Sequence, residues 1–530
     1  MSVHQGRYAA ASGPVLAEGW TFHRLTRPSR LFGANGIRTG ADGRIYVAQV
    51  TGSQISAIDV GTGAIETICA MGGDIVAPDD LVFDDAGNLY ATEFTEGRVS
   101  QRAPDGTTRV VQADMPCANP IAFHAGRLYA GECRPGGRIL ELSLDGGAPR
   151  VIVDDVLMPN AMEVGPDGKL YYPVMGTNEI WRVDLAGGTP EKVAGDLGVP
   201  DAVKFDADGF IVSTQVASGQ VLRIDPRTGD RTVLATVAPG LDNLTFLDRR
   251  LFVSSISGQV NEILGDGSVR PLIPDGLNWP LGLALNPDGL LYVADGPYAY
   301  TWKPGAERQL AGMMFTPGFP GHARGIAAHG EGTVVVTTAN GAVSRWTPSQ
   351  QAHQVLAEGF DRLYGVAVAS DGTVVFAEGG TGRVLSVRDG RVETLADGLL
   401  EPRGVAIAPD GCLVAESGAG RVVQLAAGRV ETILDGLQQP QGLVVRDGVL
   451  YVVDAGAKEV IAYHLARKTR RTIAGGLPVG APPGVTPKFL RAIPPLSGPM
   501  GPFTGIAAGA DGTLYVSGDA DGSLLALRPN

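Results

Sequence analysis

The residues best suited to chemistry recur at one position of a repeated phrase. In the first half of the chain, that position is always Asn or Asp: Asn35, Asp79, Asn119, Asn160, Asp201 and Asp242. Converging carboxylates repel one another unless a cation lies among them, and hard divalent cations prefer oxygen ligands of this kind. The pattern predicts a metal or polar-ligand site, with Asp79 and Asp242 among its metal ligands. The alternative is that these side chains cap turns through hydrogen bonds to the backbone.

The phrase that positions these residues is a short β-hairpin. Examples are PNAMEVGPDGKLYYPV in the first half and PRGVAIAPDGCLVAE in the second. An Asp-Gly step between two alternating strands is a strong hairpin signal, because both residues accept a positive φ. The phrase recurs about twelve times at ~40-residue spacing, with almost no helical periodicity. Since propellers usually hold four to eight blades, we predict an all-β protein with two tandem six-bladed β-propellers.

Each phrase ends in a second residue that should face the same channel mouth, because antiparallel neighbours bring the start of one strand beside the end of the next. In the first half these residues are Gln49, Glu93, Glu132, Val174, Gln215 and Ser255. We interpret Glu93 and Glu132 as secondary acid/base candidates. Asn35, Gln49 and Gln215 are candidates for binding substrate.

The predicted domains are residues 15–265 and 266–530. A strand near residues 17–25 is expected to complete the blade of residues 241–265, and a strand at 268–275 to complete the blade ending at Asn530, so that neither ring has an open edge. A Pro/Gly-rich insertion, about residues 475–500, interrupts the last repeat. It is expected to be either a lid or an ordered surface loop.

Composition excludes several classes of function. The chain has 530 residues and a formal net charge of −13, whereas nucleic-acid binding needs a concentrated basic surface. No signal peptide and no run of 18 apolar residues is apparent, so neither export nor a membrane is expected. The four cysteines are scattered, which fits a reducing cytoplasm. The sequence has no GxSxG elbow to support a serine triad and no Cys/His cluster to support structural zinc. The expected partner is a small-molecule substrate.

The second half lacks carboxylates at the first position of the phrase, which reads Leu281, Arg324, Tyr364, Arg403, Gln441 and Thr504. Its strand ends do carry acids: Asp295, Glu378, Glu416 and Asp454. One interpretation is that Arg–acid ion pairs fill this channel. The other is a pocket for an anionic ligand, with Arg324, Arg403 and His322 as donors.

At its strand starts the first half resembles the family of gluconolactonases, senescence marker protein and luciferin-regenerating enzymes, over roughly residues 15–265. The matching positions are Asn119 in ANPIAF, Asn160 in PNAMEVGPDG and Asp201 in PDAVKFDADG. The resemblance implies a six-bladed propeller with one divalent cation in its channel. It further implies that Asn119 aligns substrate, Asn160 binds metal, and Asp201 binds metal and acts as acid/base. The family's early Glu would fall at Asn35, where it is absent.

Glu18 lies in the segment interpreted as a closing strand, so the role of the early Glu is not transferred to it. The second half resembles NHL-type repeat propellers more loosely, through its GRV and VAD/FAE phrases.

The function expected from these observations is hydrolysis of a lactone or similar small cyclic ester by a divalent-metal-dependent enzyme. Asp201 is the expected general base. Ca²⁺ is the leading cation, with Mg²⁺, Mn²⁺ or Zn²⁺ as alternatives. A lyase or isomerase reaction at the same site is a second hypothesis. The third is a non-catalytic ligand-binding or scaffold propeller, because fold does not fix function.

Overall fold

The computed structural model describes residues 7, 13–481, 485, 490–492, 497–498 and 500–530. The predicted insertion at about 475–500 therefore lies partly outside the described residues. In the described part the chain forms 49 strands in twelve sheets. The helical elements there are three short 3₁₀ turns, Met175–Thr177, Pro348–Gln350 and Ser417–Ala419. None of these is long and apolar enough to cross a membrane.

Residues 31–275 form one compact unit, the N-terminal propeller. Each of its six sheets consists of four consecutive strands. The first strands of neighbouring blades are in contact all the way round, and the sixth contacts the first, so the ring is closed. The strands are, for blade 1, Ile37–Thr39, Ile45–Gln49, Gln54–Ile58 and Ile65–Cys69; blade 2, Pro78–Phe83, Leu89–Glu93, Arg98–Arg102 and Thr108–Gln112; blade 3, Ala118–His124, Arg127–Glu132, Gly137–Leu142 and Arg150–Val156; blade 4, Glu163–Val164, Lys169–Val174, Glu179–Asp184 and Glu191–Ala194; blade 5, Pro200–Phe205, Ile211–Gln215, Gln220–Ile224 and Arg231–Thr236; and blade 6, Leu241–Leu247, Arg250–Ser255, Val260–Ile263 and Val269–Ile273.

Residues 1–30 and 276–530 form the second unit, the C-terminal propeller. Its first strands also contact one another in a closed ring of six. The strands are, for blade 7, Leu283–Leu285, Leu291–Asp295, Tyr298–Trp302 and Gln309–Met313; blade 8, Ala323–Ala328, Val334–Thr338, Val343–Thr347 and Ala352–Ala357; blade 9, Leu363–Val368, Val374–Glu378, Arg383–Arg388 and Arg391–Ala396; blade 10, Pro402–Ala408, Gly411–Glu416, Arg421–Ala426 and Arg429–Leu434; blade 11, Pro440–Arg446, Val449–Asp454, Glu459–His464, Thr469–Gly475 and Val15–Leu16; and blade 12, Ile506–Ala508, Leu514–Gly518, Ser523–Pro529 and Trp20–Arg24.

The predicted exchange of closing strands is wrong. Trp20–Arg24 pairs antiparallel with Ser523–Pro529 and completes blade 12, whereas Val269–Ile273 completes blade 6. The turn at Asp266-Gly267 lets Val269–Ile273 fold back on the strand just before it, and such local pairing costs little loop-closure entropy. The first strand of the chain is then left to pair with the last. The N-terminal propeller is thus inserted within the sequence of the C-terminal one, and the boundary falls at 275/276 instead of 265/266.

In the Asp-Gly turn of blade 4 only the glycine has the positive φ that the sequence predicts for both residues, since Asp167 does not adopt one. In blade 4, Gly168 has φ +76°, a left-handed conformation that glycine adopts without steric cost. The Asp167 carboxylate accepts a hydrogen bond from the Lys169 backbone N–H at 3.1 Å. Apolar side chains of adjacent blades then form the core, as where Tyr129 and Ile139 of blade 3 pack with Leu170 and Tyr172 of blade 4.

Candidate metal and active site in the N-terminal propeller

Four of the six Asn and Asp residues at the channel mouth lie in β-bulges: Asp79, Asn119, Asp201 and Asp242. In blade 2 the pairing register shifts from Pro78–Glu93 to Leu81–Ala91, so that two residues, Asp79 and Asp80, lie opposite one. The same shift occurs in blades 3, 5 and 6. A bulge re-aims side chains that a regular strand would point to opposite faces. Consecutive residues of one strand can therefore both contribute to the channel.

The six predicted mouth residues are all buried, with at most 9% of each exposed. The Asn160 amide donates a hydrogen bond to Asp201 Oδ2 at 3.0 Å, and the Asn35 amide donates to Asp242 Oδ2 at 3.2 Å. Asn119 is buried on the neighbouring first strand of blade 3. The structure thus brings together Asn160 with Asp201 and Asn35 with Asp242, each pair joining adjacent blades.

The carboxylates of the mouth destabilise one another. Burial, and then the charge of Asp80, raises the pKa of Asp79 to about 8. Burial also raises the pKa of Asp201 well above its usual range, with further contributions from Asp79 and Asp80. The pKa of Asp242 is raised by burial and by Asp201, Asp79 and Asp80, against a small opposing effect of Asn35. In the described part of the chain, no basic side chain forms an ion pair with Asp79, Asp201 or Asp242.

A layer of opposite charges lies deeper in the same channel. Arg38 and Lys204 both bind Glu163 Oε2, at 3.1 and 2.7 Å. Arg38 also donates hydrogen bonds to the carbonyl oxygens of Leu81 and Ile121, so it reaches across several blades. Burial alone would raise the pKa of Glu163, but Lys204 and Arg38 together hold it below its usual range. Both positive charges of this layer therefore share one carboxylate, which leaves the layer with a net positive charge.

Arg38, Glu163 and Lys204 are not among the residues that the sequence pattern predicts for the site. The three residues lie three positions after Asn35, Asn160 and Asp201, on the same first strands. Charged residues at one fixed offset inside an otherwise apolar strand are unusual, since Lys and Glu are almost never buried unless paired. That offset is the signal that would have identified them.

Asp80 connects the two layers. Asp80 Oδ1 accepts hydrogen bonds from the Leu81 backbone N–H at 2.9 Å and from the Asn243 amide at 3.2 Å. Burial raises its pKa, and the positive charges of Arg38 and Lys204 act in the opposite direction. The excess positive charge of the deep layer thus balances Asp80 and leaves the negative charge of the mouth uncompensated.

The donor set of the mouth suits a hard divalent cation, because every side chain in it offers oxygen. Among the described residues, however, no three Asp, Glu, His or Cys side chains lie close enough together to hold an ion by themselves. A cation here would therefore need the amide oxygens of Asn160 or Asn35 as well as the carboxylates. The nitrogens of those two amides donate to Asp201 and Asp242. Their oxygens accept the backbone N–H groups of Ala161 and Val50, which leaves each oxygen one lone pair for a cation.

Glu93 and Glu132 do not have the geometry of acid/base residues. Glu93 forms a two-point ion pair with Arg98, with distances of 2.9 and 2.7 Å, and accepts a hydrogen bond from the Val76 backbone N–H at 2.8 Å. Glu132 pairs with both Arg134 and Arg138. Both carboxylates are fully buried and are held by arginines of their own blade, so their expected role in catalysis is not supported.

Gln49 and Gln215 likewise bind the protein itself. The Gln49 carbonyl oxygen accepts the Phe32 backbone N–H at 2.9 Å, and the Gln215 carbonyl oxygen accepts the Gly198 backbone N–H at 2.9 Å. Their amide groups donate to serine hydroxyls of the same blades. These glutamines fix the segment that enters the first strand, as Glu93 does, and they are not available to bind substrate.

In the C-terminal propeller the expected ion pairs across the channel are also wrong. Glu378 pairs with Arg383 and Glu416 with Arg421, each within one blade. These acids perform the same structural task as Glu93. Arg324 and Arg403 have other partners, described below.

Residues 41–257 match the SMP-30/Gluconolactonase/LRE-like region. This match confirms the resemblance predicted for the N-terminal half, and it covers the channel mouth except Asn35. No curated protein matches the chain. The NHL-type resemblance of the second half stays a prediction.

Several solved structures resemble one half of the chain. A streptogramin B lyase is 17% identical and covers 52% of this chain and 96% of its own, with a TM-score of 0.39. Virginiamycin B lyase from Staphylococcus aureus is 16% identical, with coverages of 52% and 96% and a TM-score of 0.38. A protein provisionally named a gluconolactonase is 17% identical, with coverages of 49% and 95% and a TM-score of 0.39. Similarity at this level carries no information on function.

Proposed function

We propose that the N-terminal propeller hydrolyses a lactone or similar small cyclic ester with the help of a divalent cation bound at its channel mouth. The observation that carries the proposal is the group of three buried carboxylates, Asp79, Asp201 and Asp242, which form no ion pair with a basic residue of the described chain. They lie in the stretch that matches a family named for a gluconolactonase. Buried negative charge of this size requires compensation.

Asn160 and Asp201 are the central metal ligands in this proposal, with Asp79 and Asp242 adding negative charge. When bound, the cation would polarise the ester carbonyl as a Lewis acid and lower the pKa of a coordinated water. An oxygen-only donor set favours Ca²⁺, with Mg²⁺, Mn²⁺ or Zn²⁺ as alternatives.

The chain itself supplies proton transfer and orientation. Asp201 accepts the proton of the attacking water, because its carboxylate is buried at the mouth and a positioned carboxylate is an effective general base. Asn119 holds the substrate, since its buried amide can both donate and accept hydrogen bonds. The paired charges of Arg38, Glu163 and Lys204 occupy the deeper channel, which leaves the mouth as the place for substrate.

A lyase or isomerase reaction at the same site is the second candidate. Burial raises the pKa of Asp79 to about 8, so this carboxyl can hold a proton near neutrality and exchange it with the substrate, as proton abstraction and return require. Product mass separates the two candidates, because hydrolysis adds one water to the substrate and isomerisation adds nothing.

The test combines metal analysis with kinetics. The purified protein is analysed for bound metal and assayed against a panel of lactones, beside Asp201→Asn and the exposed-site control Asp145→Asn. We expect one divalent cation per chain, and a loss of cation together with a 10²–10⁴-fold loss of kcat in Asp201→Asn. A protein without bound cation, whose activity does not change in Asp201→Asn, would refute the proposal and leave the binding or scaffold hypothesis.

A further inference from the structure

The mouth of the C-terminal propeller carries two buried arginines on either side of a tyrosine. The guanidinium carbon of Arg324 lies 4.5 Å from the centre of the Tyr364 ring, and that of Arg403 lies 4.7 Å from it. Arg324 is 1% and Arg403 7% exposed. The three residues are the second residues of the first strands of blades 8, 9 and 10, at the position that holds Asn or Asp in the other propeller.

These arginines bind carbonyl oxygens of a nearby segment, Gly501–Phe503. Arg324 donates a hydrogen bond to the Gly501 carbonyl at 2.7 Å, and Arg403 donates to the Pro502 carbonyl. The Phe503 ring lies 6.0 Å from that of Tyr364. A carbonyl carries only partial negative charge, whereas an anion forms hydrogen bonds with guanidinium that are roughly twice as strong. The segment therefore occupies positions where an anion would be bound more strongly.

Further buried hydrogen-bonding groups at this mouth have no partner among the described residues. They include Arg403 Nε, the Gln441 amide nitrogen and His322 Nδ1. All three side chains are at least nine-tenths buried. Leaving such groups unsatisfied costs about 1–3 kcal/mol each, so their presence at one mouth indicates a ligand. The acid that pairs with Arg403 in the described chain is Glu401, at 3.4 Å, whose side chain is 55% exposed.

The channel below this mouth is too small for a ligand. A ring of glycines, Gly282, Gly325, Gly365, Gly404, Gly442 and Gly505, lines a cavity of about 40 Å³ beneath Phe503. That volume holds only a few water molecules. A ligand in this channel must therefore bind at the level of the arginines.

We propose that the mouth of the C-terminal propeller is a binding site for a small oxyanion, a carboxylate or a phosphate, which competes with the segment Gly501–Phe503 for Arg324 and Arg403. Planar guanidinium groups recognise both kinds of anion through paired hydrogen bonds. His322 is neutral, because burial and then the charge of Arg324 lower its pKa to about 3, and it serves as a hydrogen-bond donor without adding charge.

The experiment titrates the full-length protein with citrate and with inorganic phosphate by calorimetry, and follows thermal unfolding in parallel. Arg403→Gln removes one guanidinium. Arg429→Gln is the matched control, because Arg429 is an exposed arginine of the same blade. We expect saturable binding of at least one anion, weakened about tenfold or more in Arg403→Gln and unchanged in Arg429→Gln.

A second variant keeps the test valid if Arg403→Gln does not fold. Phe503→Ala removes the ring contact to Tyr364 and loosens the competing segment, so the anion should bind about tenfold more tightly. Citrate binding alone assigns the site to carboxylates, and phosphate binding alone assigns it to phosphates. The proposal is overturned if neither anion binds to the wild type or to Phe503→Ala, if Arg403→Gln binds as well as the control, or if Phe503→Ala binds no more tightly than the wild type.

Discussion

The clearest consequence of the charged mouth is an inverted pH dependence of stability in the absence of metal. Folding raises the pKa of Asp79 from 3.8 to about 8, so the folded state binds its proton more tightly than the unfolded state. The unfolding free energy must then fall as pH rises through this window. At about 1.4 kcal/mol per pKa unit, the full shift of Asp79 changes the unfolding free energy by about 6 kcal/mol, and the part between pH 5 and pH 8 changes it by about 4 kcal/mol.

Urea denaturation in the presence of EDTA measures this effect. Pulse proteolysis at each urea concentration would report the two propellers separately, by fragment size. We expect the unfolding free energy of the N-terminal propeller to fall by at least about 4 kcal/mol between pH 5 and pH 8, because Asp201 and Asp242 are shifted in the same direction as Asp79. Excess Ca²⁺ should restore part of this at pH 8, since a ligand of the folded state stabilises it by about 2.7 kcal/mol at one hundred times its Kd.

Asp79→Asn is the decisive variant, because asparagine has no proton to lose. In EDTA it should reduce the slope of the pH profile, with Asp201 and Asp242 still contributing, and be more stable than the wild type at pH 8. Asp145→Asn, at an exposed turn, should keep the wild-type profile. Two results would refute the reasoning: wild-type stability that stays level or rises between pH 5 and pH 8 in EDTA, or an Asp79→Asn profile with the wild-type slope.

Three further predictions address the frame around the sites. Glu93→Gln should lower the unfolding free energy of the N-terminal propeller by about 3 kcal/mol, because Arg98 loses its buried partner. The kcat per folded molecule should change less than tenfold. Urea denaturation measures the first effect and steady-state kinetics the second. Gly404→Ala should destabilise the C-terminal propeller by about 3 kcal/mol or more, since an added Cβ would overlap the Gln441 carbonyl oxygen. Thermal unfolding measures this effect, and an unchanged Tm would contradict the prediction. Deletion of residues 13–24 should leave blade 12 with an open edge, so that limited proteolysis degrades the C-terminal propeller first and spares residues 31–275.

The sequence predicts the fold well because its signals are local. Each Asp-Gly turn and its two strands lie within about fifteen residues, and the repeat spacing identifies blades without any knowledge of their partners. Ring closure is different. Trp20–Arg24 pairs with Ser523–Pro529, and nothing in a five-residue alternating strand specifies a partner about 500 residues away, since many edges could accept it.

The errors at the site have a local cause that the sequence does show. Glu93 and Arg98, Glu378 and Arg383, and Glu416 and Arg421 are each five residues apart. At the end of a tight hairpin this spacing places the two side chains on paired strands. An acid followed by arginine at that spacing predicts an ion pair within the blade, so Glu93 could have been recognised as structural. The mouth carboxylates have no such arginine.

The residue after the mouth position explains why the two rings differ. In the C-terminal propeller it is glycine in all six blades, and a Cβ there would meet the backbone of the next first strand. In the N-terminal propeller only Gly36 is a glycine, and the other blades carry Asp80, Pro120, Ala161, Ala202 and Asn243. Side chains at this level prevent the first strands from approaching so closely. The first ring can therefore place polar groups in successive layers along its channel, while the second can offer only its mouth. The difference favours the metal site proposed for the first ring and the anion site proposed for the mouth of the second.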